Sequence, residues 1–312
     1  MDTGNIEDSL LEEIDAHAVH IAREAGQILL EQFRKPLEIQ FKGKKKNDPV
    51  TNADRRSEEY LERVIGEKFP GHGILSEEGG VLGKSDSPFV WVLDPLDGTS
   101  NFMNGLPLFA VSIGVLWKRQ PLAGSIYVPV SHRATEGVYH ACLGRGAFLN
   151  DERIEVAAEP SERPLSEVPA QFGSGFRLSG KSRNEPHEAR NLGSIALELT
   201  MAACGVFQYA LFGRPKLWDV AAGVLLVKEA GGLVFTRKPG KRDWLLLERF
   251  QTEQQEKDID TEALENLRNW SSPLVVGAPD SARKVVQDIR IRHTPLSWLG
   301  KMWLARGRRG RE

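Results

Sequence analysis

The segment WVLDPLDGTSNF, at residues 91–102, carries two aspartates three positions apart. An apolar run of strand length brings Asp94 to its end, where Pro95 is expected to stop the strand. A tight turn then displaces Asp97, so that the two carboxylates and the carbonyl of Leu96 can converge on one point. Oxygen donors of this kind are the ligands that Mg²⁺ prefers, usually with waters completing the shell. The segment therefore predicts a divalent-metal site.

An anion site is predicted directly after these aspartates. Gly98 and Thr99 follow as the start of a helix, where free backbone N–H groups attract negative charge. A metal site beside a phosphate site suits the hydrolysis of a phosphate monoester, a reaction that is extremely slow without a catalyst. The alternative interpretation is that Asp94 and Asp97 only form a turn and a cap.

Three further acidic residues lie near the ends of predicted elements. Asp54 stands at the start of a helix, Glu77 follows the short apolar stretch of GILSEEGG, and Asp219 heads an apolar helix. Taken singly, Asp54 and Asp219 are helix caps and Glu77 belongs to a solvated loop. Taken with Asp94 and Asp97, they predict five clustered carboxylates, which repel one another unless cations bind.

Composition and charge set the class of protein. The chain has 312 residues, 41 basic against 43 acidic side chains and 40% hydrophobic residues, which excludes a disordered chain. The formal net charge of −2 argues against a dedicated nucleic-acid binder. That sum hides an asymmetry. Residues 301–312 hold five basic side chains and one glutamate, a charge of +4 that leaves −6 on the rest of the chain.

The remaining reactive side chains carry weaker signals. Cys142 and Cys204 lie far apart, and neither is part of a CxxC pair, so a disulfide framework and a zinc knuckle are not expected. With no signal-peptide pattern and no run of 18 apolar residues, the sequence predicts a reduced, cytoplasmic protein. His17 and His20 are either a metal pair or, with no third ligand nearby in sequence, solvated or core-edge side chains.

Helices and strands occur in runs rather than in strict alternation, which predicts a layered α+β fold. The first helix is expected to begin at the capping-box spacing of Ser9 and Glu12 and to end near Pro36. The other predicted elements are a helix through 55–67, strands at 89–93, 111–116, 122–128, 136–139 and 147–149, a buried helix over 193–211, a helix over 219–230, and strands at 233–236 and 274–277.

The polar, Pro-rich residues 151–192 mark the join between two halves. We expect an N-terminal α+β half over 1–150 with most of the metal ligands, a C-terminal half over 151–290 that carries Asp219, and a basic tail over 291–312. The strongly charged residues 237–262 are interpreted as a solvated insertion in the second half.

Four motifs in a fixed order give the sequence a family resemblance. DPVTNAD, GILSEEGG, WVLDPLDGTSNF and LWDVAAG resemble segments of the inositol monophosphatase family of Mg²⁺-dependent, lithium-sensitive phosphatases. GRGAFLN at 144–150 and GSIAL at 193–197 match further family segments, so that the resemblance covers roughly residues 10–285. It implies an αβαβα layered sandwich, a homodimer, a small phosphorylated substrate and two or three Mg²⁺ ions in each site.

The resemblance also implies roles for single residues. The implied metal ligands are Glu77, Asp94 and the Leu96 carbonyl for one ion, and Asp94, Asp97 and Asp219 for the second. The implied catalytic residues are Thr99, Asp54 and Glu77, of which Thr99 and Asp54 activate the attacking water. The implied substrate contacts are Asp97, Gly98, Thr99, Ser194 and Asp219.

One position departs from the inositol-specific pattern. Inositol-specific members carry an acidic residue seven positions before the aspartate of the Trp-Asp pair, and here that residue is Phe212. An apolar ring in place of a charged acceptor is expected to weaken polyol recognition. Arg214 and Lys216 nearby are either solvated surface or contacts for a second anionic group. Inositol 1-phosphate, histidinol phosphate, fructose 1,6-bisphosphate and 3′-phosphoadenosine 5′-phosphate all stay open as substrates.

A function of a different class would depend on the basic tail. Residues 297–312 combine aromatic and arginine side chains, which could contact an anionic lipid surface or RNA. Such a chain would be a regulatory or binding protein that keeps the phosphatase scaffold. The alternative is a solubilising end, because the run is short and interrupted by glycine.

Overall fold

The computed structural model describes residues 6–41, 49–84, 86–169, 176–179, 188–237, 243–251 and 264–291. Most of the predicted insertion at 237–262 and the basic tail from 292 onwards lie outside the described residues. Within the described part, none of the helices is both long enough and apolar enough to cross a membrane.

The helices and strands of the described residues are as follows. The helices are α1 (Asp8–Gln32), α2 (Asn52–Lys68), α3 (Thr99–Met103), α4 (Ile195–Ala203), α5 (Leu217–Glu229), α6 (Leu264–Arg268) and α7 (Pro279–Asp288). The strands are β1 (Ile39–Phe41), β2 (Pro49–Thr51), β3 (Gly73–Ser76), β4 (Gly80–Gly83), β5 (Phe89–Asp97), β6 (Ala110–Trp117), β7 (Gln120–Val128), β8 (Gly137–Cys142), β9 (Ala147–Leu149), β10 (Glu152–Ile154), β11 (Leu165–Glu167), β12 (Phe176–Leu178), β13 (Glu188–Arg190), β14 (Phe207–Phe212), β15 (Leu233–Thr236), β16 (Leu245–Leu246), β17 (Leu274–Gly277) and β18 (Ile289–Ile291).

These elements stack in five layers. An eight-stranded sheet has the order β10-β9-β8-β7-β6-β5-β3-β4, and a six-stranded sheet has the order β13-β11-β14-β17-β15-β16. Helices α1 and α2 pack on the outer face of the larger sheet, α4 and α5 lie between the sheets, and α7 packs on the smaller sheet. This arrangement confirms the αβαβα sandwich that the motifs led us to expect.

The close approach of α5 to the larger sheet depends on small residues. A Cβ atom added at Gly124 in β7 would lie 2.8 Å from the backbone of Ala222 in α5, far inside van der Waals contact. Helix α5 is apolar nearly all round, as expected for a helix buried between two sheets. Because the helix is fixed in this layer, Asp219 in its first turn is held close to Asp97 at the end of β5.

Two predicted element boundaries are wrong. Helix α1 begins at Asp8, with Glu7 before it and no side-chain cap, so Ser9 lies inside the helix rather than at a capping box. The predicted helix over 193–211 ends at Ala203, and Gly205 adopts the left-handed conformation with φ 77°. The apolar run after it is the strand β14, which pairs with β11 and β17. All six of its residues are buried, so it shows no alternation of polar and apolar residues.

The two histidines on α1 lie in different surroundings. His17 makes edge-on ring contacts with Phe69 and Trp91, with centroids 5.5 and 6.0 Å away. Burial lowers the pKa of His17 to about 4, so the ring is neutral near neutral pH. His20 is exposed. The core-edge interpretation of His17 is therefore the one that agrees with the fold.

The two-domain division stays a prediction. The larger sheet uses residues up to Ile154 and the smaller sheet begins at Leu165, on either side of the proposed join. One hydrophobic core nevertheless contains buried residues from both halves, such as Trp91 and Val224. Cys142 and Cys204 are both free thiols, in agreement with the expected absence of a disulfide between them.

Candidate active site

Strand β5 brings Asp94 and Asp97 to the site through a bulge. Asp94 pairs with Ser112 and Asp97 with Ala110, so β5 uses one more residue than β6 between these two pairs. A bulge redirects side chains, and Pro95 fits within it because a bulged residue need not donate to the ladder. The expectation that Pro95 ends the strand is therefore wrong, and a bulge inside β5 displaces Asp97 in place of the predicted tight turn.

Asp94 is almost completely buried, with 2% exposure. Its Oδ1 accepts a hydrogen bond from the Leu96 N–H at 3.1 Å. Burial, together with the negative charges of Glu77, Asp97 and Asp219, raises the pKa of Asp94 well above its usual range. Four of the five predicted carboxylates are thus close enough to act on one another, and Asp94 lies in the field of the other three.

Asp97 is held by the start of α4. Its Oδ2 accepts hydrogen bonds from the Ser194 hydroxyl at 2.9 Å and from the Ala196 N–H at 2.5 Å. Burial raises the pKa of Asp97 to about 6, although these hydrogen bonds oppose the rise. Ser194, predicted as a substrate contact, is 1% exposed, and its oxygen also accepts from Leu197 N–H as the N-cap of α4. The structure therefore assigns its hydroxyl to Asp97 and to the cap.

Asp219 enters from the opposite half of the chain. Its Oδ2 accepts from the Lys216 N–H at 2.7 Å, which satisfies a backbone donor at the start of α5. Burial, followed by the charges of Asp97 and Glu77, raises the pKa of Asp219 well above its usual range. The cap interpretation and the site interpretation of this aspartate are therefore both compatible with its surroundings.

Asp54 combines a helix cap with a contact to Thr99. Thr51 is the N-cap of α2, and Asp54 Oδ2 accepts from the Thr51 N–H at 2.9 Å and from its hydroxyl at 2.5 Å. The other carboxylate oxygen of Asp54 lies 3.2 Å from the Thr99 hydroxyl, which is also 3.1 Å from the Leu96 carbonyl. Burial raises the pKa of Asp54, against the hydrogen bonds from both threonines.

Gly98 sets the turn from β5 into α3. Its φ of 92° lies in the left-handed region, and a Cβ atom there would be 3.0 Å from the Leu108 carbonyl and 3.2 Å from Ser194. Both the conformation and the space therefore favour glycine. Thr99 is the first residue of α3, as predicted, so the Gly98–Thr99 amides lie at a helix start beside Asp97.

Comparison with known proteins decides the family. The model of the inositol monophosphatase family matches residues 10–269. The Nus factor SuhB of Pasteurella multocida is 36% identical over 227 residues, 70% of this chain and 82% of that protein. The inositol-1-monophosphatase of Mesorhizobium japonicum is 36% identical over 228 residues, 69% and 82% of the two chains. The chain belongs to the inositol monophosphatase family.

A solved family structure agrees with the fold. The extragenic suppressor protein SuhB of Bartonella henselae superposes with a TM-score of 0.66 at 27% identity, over 86% of this chain and 95% of that one. Membership in the inositol monophosphatase family, with relatives that include an inositol-1-monophosphatase, identifies this chain as a phosphoric monoester hydrolase.

The donor set of this inositol monophosphatase family member fits a hard divalent cation. Four acidic side chains and the Leu96 carbonyl supply only oxygen donors. The three side-chain charges that raise the pKa of Asp94 are all negative, so a bound cation would relieve their repulsion. In the described part of the chain, however, no three acidic, histidine or cysteine side chains already meet as metal ligands. Hydrogen bonds hold the carboxylates of Asp97 and Asp219 to Ser194, Ala196 and Lys216.

Several residues that fix the site were missed in the sequence. The Ser57 hydroxyl donates to the Pro95 carbonyl at 3.0 Å and so ties α2 to the bulge. Glu58 Oε1 accepts from the N–H groups of Glu78 and Gly79 at 3.1 and 2.7 Å and from the Ser76 hydroxyl, which fixes the loop after β3. Only the pairing of Thr51 with Asp54 had a sequence signal, a capping-box spacing.

Two loops around Ser194 also depend on unpredicted side chains. Asn101 Nδ2 donates to the carbonyls of Leu108 and Leu192 at 2.6 and 2.7 Å. Glu198 Oε1 accepts from the N–H groups of Leu192 and Gly193 at 2.6 and 3.0 Å. These contacts join residues far apart in sequence or reach back from within a helix, so no local pattern indicates them.

Proposed function

We propose that this phosphatase hydrolyses a small phosphorylated polyol or sugar and that it requires Mg²⁺. The observation that carries the proposal is the buried carboxylate of Asp94, which lies in the field of Glu77, Asp97 and Asp219 beside the helix start at Thr99. A field of this sign disfavours an anionic substrate unless cations neutralise it. The proposal therefore joins metal and phosphate in one site.

The proposed metal ligands follow the donor set. Glu77, Asp94 and the Leu96 carbonyl would hold one ion, Asp94, Asp97 and Asp219 a second, and a third would bind more weakly through Glu77. Bound Mg²⁺ would lower the pKa of a water molecule and neutralise charge on the phosphate and on the leaving oxygen.

The proposed activating pair is Thr99 with Asp54. The Thr99 hydroxyl lies within 3.2 Å of Asp54 Oδ1. When the hydroxyl donates to this carboxylate, its oxygen is free to accept a hydrogen bond from the attacking water and so to orient it. Burial raises the pKa of Asp54, which makes it a stronger base than an exposed aspartate. Glu77 would act on the same water shell.

The proposed phosphate cradle is the turn from β5 into α3. The Gly98 and Thr99 N–H groups at this helix start would donate to phosphate oxygens. Asp97 and Asp219 border the same place, and Ser194 would act there through its hydrogen bond to Asp97. The leaving group would then extend towards Asp219 and the residues that precede it.

Phe212 is relevant to which substrate the site prefers. It is 4% exposed at the end of β14, seven residues before Asp219, and supplies no hydrogen-bond acceptor. Arg214 and Lys216, by contrast, are exposed and positively charged. We therefore expect inositol 1-phosphate to be a poorer substrate than one with a second anionic or less hydroxylated leaving group.

A phosphate-release screen tests the proposal. Inositol 1-phosphate, histidinol phosphate, fructose 1,6-bisphosphate and 3′-phosphoadenosine 5′-phosphate are offered to the wild type in Mg²⁺ and in EDTA, with Asp94→Asn as the inactive control. We expect release from at least one substrate, in Mg²⁺ only, and none from Asp94→Asn. Equal activity of wild type and Asp94→Asn would refute the assigned site.

Three further proposals concern the whole chain. The family resemblance supports a homodimer, which light scattering would detect. The free thiols of Cys142 and Cys204 support a reduced, cytoplasmic location. The charge of residues 297–312 supports a weak contact with an anionic surface. If this contact exists, deleting these residues should abolish salt-sensitive binding to anionic vesicles and leave phosphate release unchanged.

A further inference from the structure

Arg268 contacts both the loop that carries Glu77 and the segment that carries Asp219. Arg268 is the last residue of α6, and its Nη2 donates to the carbonyl of Glu77 at 2.8 Å. Its guanidinium carbon lies 5.8 Å from the centre of the Trp218 ring, within the range of a cation–π contact. Trp218 directly precedes Asp219, so one side chain touches the neighbourhood of two proposed ligands that come from opposite halves of the sequence.

Arg268 and Glu58 both contact the loop that carries Glu77. A Cβ atom at Gly80, the first residue of β4, would lie 2.6 Å from Arg268 Nη1. The carbonyl that Arg268 binds belongs to Glu77 itself, and Glu58 holds the next two N–H groups of the loop from the other side. The backbone that presents the Glu77 side chain is therefore fixed from both sides, by α2 and by α6.

The position of Arg268 is set by apolar packing rather than by the site. Leu264 and Leu267 of α6 are buried, and Leu264 lies against Gly73 of β3. Trp270, just after the helix, is 3% exposed and contacts Phe250 edge-on at 5.0 Å. Because these side chains anchor α6 independently of any ligand, Arg268 is presented to Glu77 and Trp218 before a metal binds.

We infer that Arg268 is a positioning residue that fixes the Glu77 loop and the Trp218–Asp219 segment relative to each other and so raises the affinity of the site for divalent metal. The inference rests on the metal roles proposed for Glu77 and Asp219. A guanidinium suits this task because its planar group donates a hydrogen bond at one edge and stacks on a ring with its face. Lysine has no plane and would make one of the two contacts at a time.

The experiment compares Arg268→Ala and Arg268→Lys with the wild type. The matched control is Arg63→Ala, which removes an arginine that also contacts a ring, Tyr60 at 5.7 Å, on the exposed side of α2. Mg²⁺ affinity is measured by calorimetry and by the rise in melting temperature with Mg²⁺ concentration, and the half-activating Mg²⁺ concentration is measured by phosphate release.

We expect Arg268→Ala to weaken Mg²⁺ binding about tenfold, the low end of the effect of residues that support metal ligands. The kcat at saturating Mg²⁺ should change little, and Arg268→Lys should lie between Arg268→Ala and wild type. A cleft of about 520 Å³ is lined by Arg268, Glu77 and Glu58. Millimolar guanidinium can therefore enter the Arg268→Ala protein and should restore part of the lost affinity, with no effect on Arg63→Ala.

Three outcomes would overturn the inference. The first is Mg²⁺ affinity equal to wild type in Arg268→Ala. The second is a lower melting temperature in EDTA with unchanged Mg²⁺ dependence, which would make Arg268 purely structural. If Arg268→Ala does not fold, unchanged Mg²⁺ affinity in Arg268→Lys would be the third. A wild type that does not respond to Mg²⁺ would instead refute the proposed function, and with it the metal roles on which Arg268 depends.

Discussion

At the scale of single residues, the sequence identifies the carboxylates but not what holds them. Asp94 and Asp97 stand out because an apolar strand and a glycine-containing turn surround them. Asp54 and Asp219 each accept a hydrogen bond from the backbone N–H of the N-cap residue, Thr51 and Lys216, so they stand at the third helical position rather than at the N-cap itself. Glu198 could not be recognised, since its partners are backbone N–H groups that become available only in the folded loop.

The Asp94→Asn variant should be more stable than the wild type in EDTA. Asp94 is buried among three like charges, so a neutral amide of the same shape removes repulsion. We expect a gain of about 1 kcal/mol in the free energy of unfolding and a loss of the stabilisation by Mg²⁺. Urea unfolding with and without Mg²⁺ measures both, with Asp86→Asn at an exposed position before β5 as the control. If Asp94→Asn is less stable than the wild type in EDTA, the proposed repulsion between Asp94 and the neighbouring carboxylates is wrong.

The Thr99→Val variant should lose turnover and keep its fold. Valine matches threonine in shape but lacks the hydroxyl that lies 3.2 Å from Asp54 and 3.1 Å from the Leu96 carbonyl. We expect kcat to fall about a hundredfold with little change in KM, whereas Thr99→Ser should retain most activity. Steady-state kinetics at saturating Mg²⁺ checks this. Equal kcat in the valine and serine variants would exclude a role for the hydroxyl.

At the scale of elements, helix periodicity was a better guide than strand ends. The apolar spacing in α1 located that helix, although its first residue was misplaced. Pro95 was misjudged because the rule that proline ends a strand does not hold inside a bulge, and only the pairing with β6 reveals the bulge. The run after Gly205 was assigned to a helix because a strand covered on both faces has no alternation to recognise.

The Thr51→Ala variant tests whether the cap of α2 also positions Asp54. Thr51 is fully buried, and its hydroxyl accepts from the Ala53 N–H at 3.1 Å and donates to Asp54. Removing it should cost about 1 kcal/mol, a fall of roughly 2–4 °C in melting temperature, and should lower kcat because Asp54 loses a partner. Thr51→Ser keeps the hydroxyl and should restore both. Loss of stability without loss of kcat would show that Thr51 stabilises α2 but does not position Asp54 for catalysis.

At the scale of the whole molecule, the layers were predictable from the order of the motifs. The burial of an acidic residue within 151–192, the predicted join between the two halves, was not. The polar residues 151–192 were interpreted as a connection. Yet Glu167 of β11 is 1% exposed, and burial followed by the charge of Glu198 raises its pKa to about 9. Its partners, the Leu211 N–H and the Asn191 amide, come from other segments, and only the assembled second sheet brings them together.

This buried acid makes stability fall as pH rises. Between about pH 4.5, the usual pKa of a glutamate, and about pH 9, folded Glu167 keeps a proton that the unfolded chain has lost. The free energy of unfolding therefore decreases with pH by up to about 1.4 kcal/mol per unit. In Glu167→Gln this slope should be shallower, and in the exposed Glu31→Gln it should be unchanged. Urea unfolding between pH 6 and pH 9 measures this slope for the wild type and both variants. Equal slopes in all three proteins would contradict the raised pKa of Glu167.

Metal binding should act on both halves of the chain at once, because the acids that surround Asp94 come from three segments. In hydrogen exchange followed by mass spectrometry, Mg²⁺ should slow exchange in peptides that cover 77–80, 96–99 and 216–219 together. The reason is that one bound charge replaces the repulsion among Glu77, Asp97 and Asp219. In Asp219→Asn the protection of 216–219 should disappear and that of 77–80 should weaken. Protection confined to 77–99 in the wild type would place the metal in the N-terminal half alone.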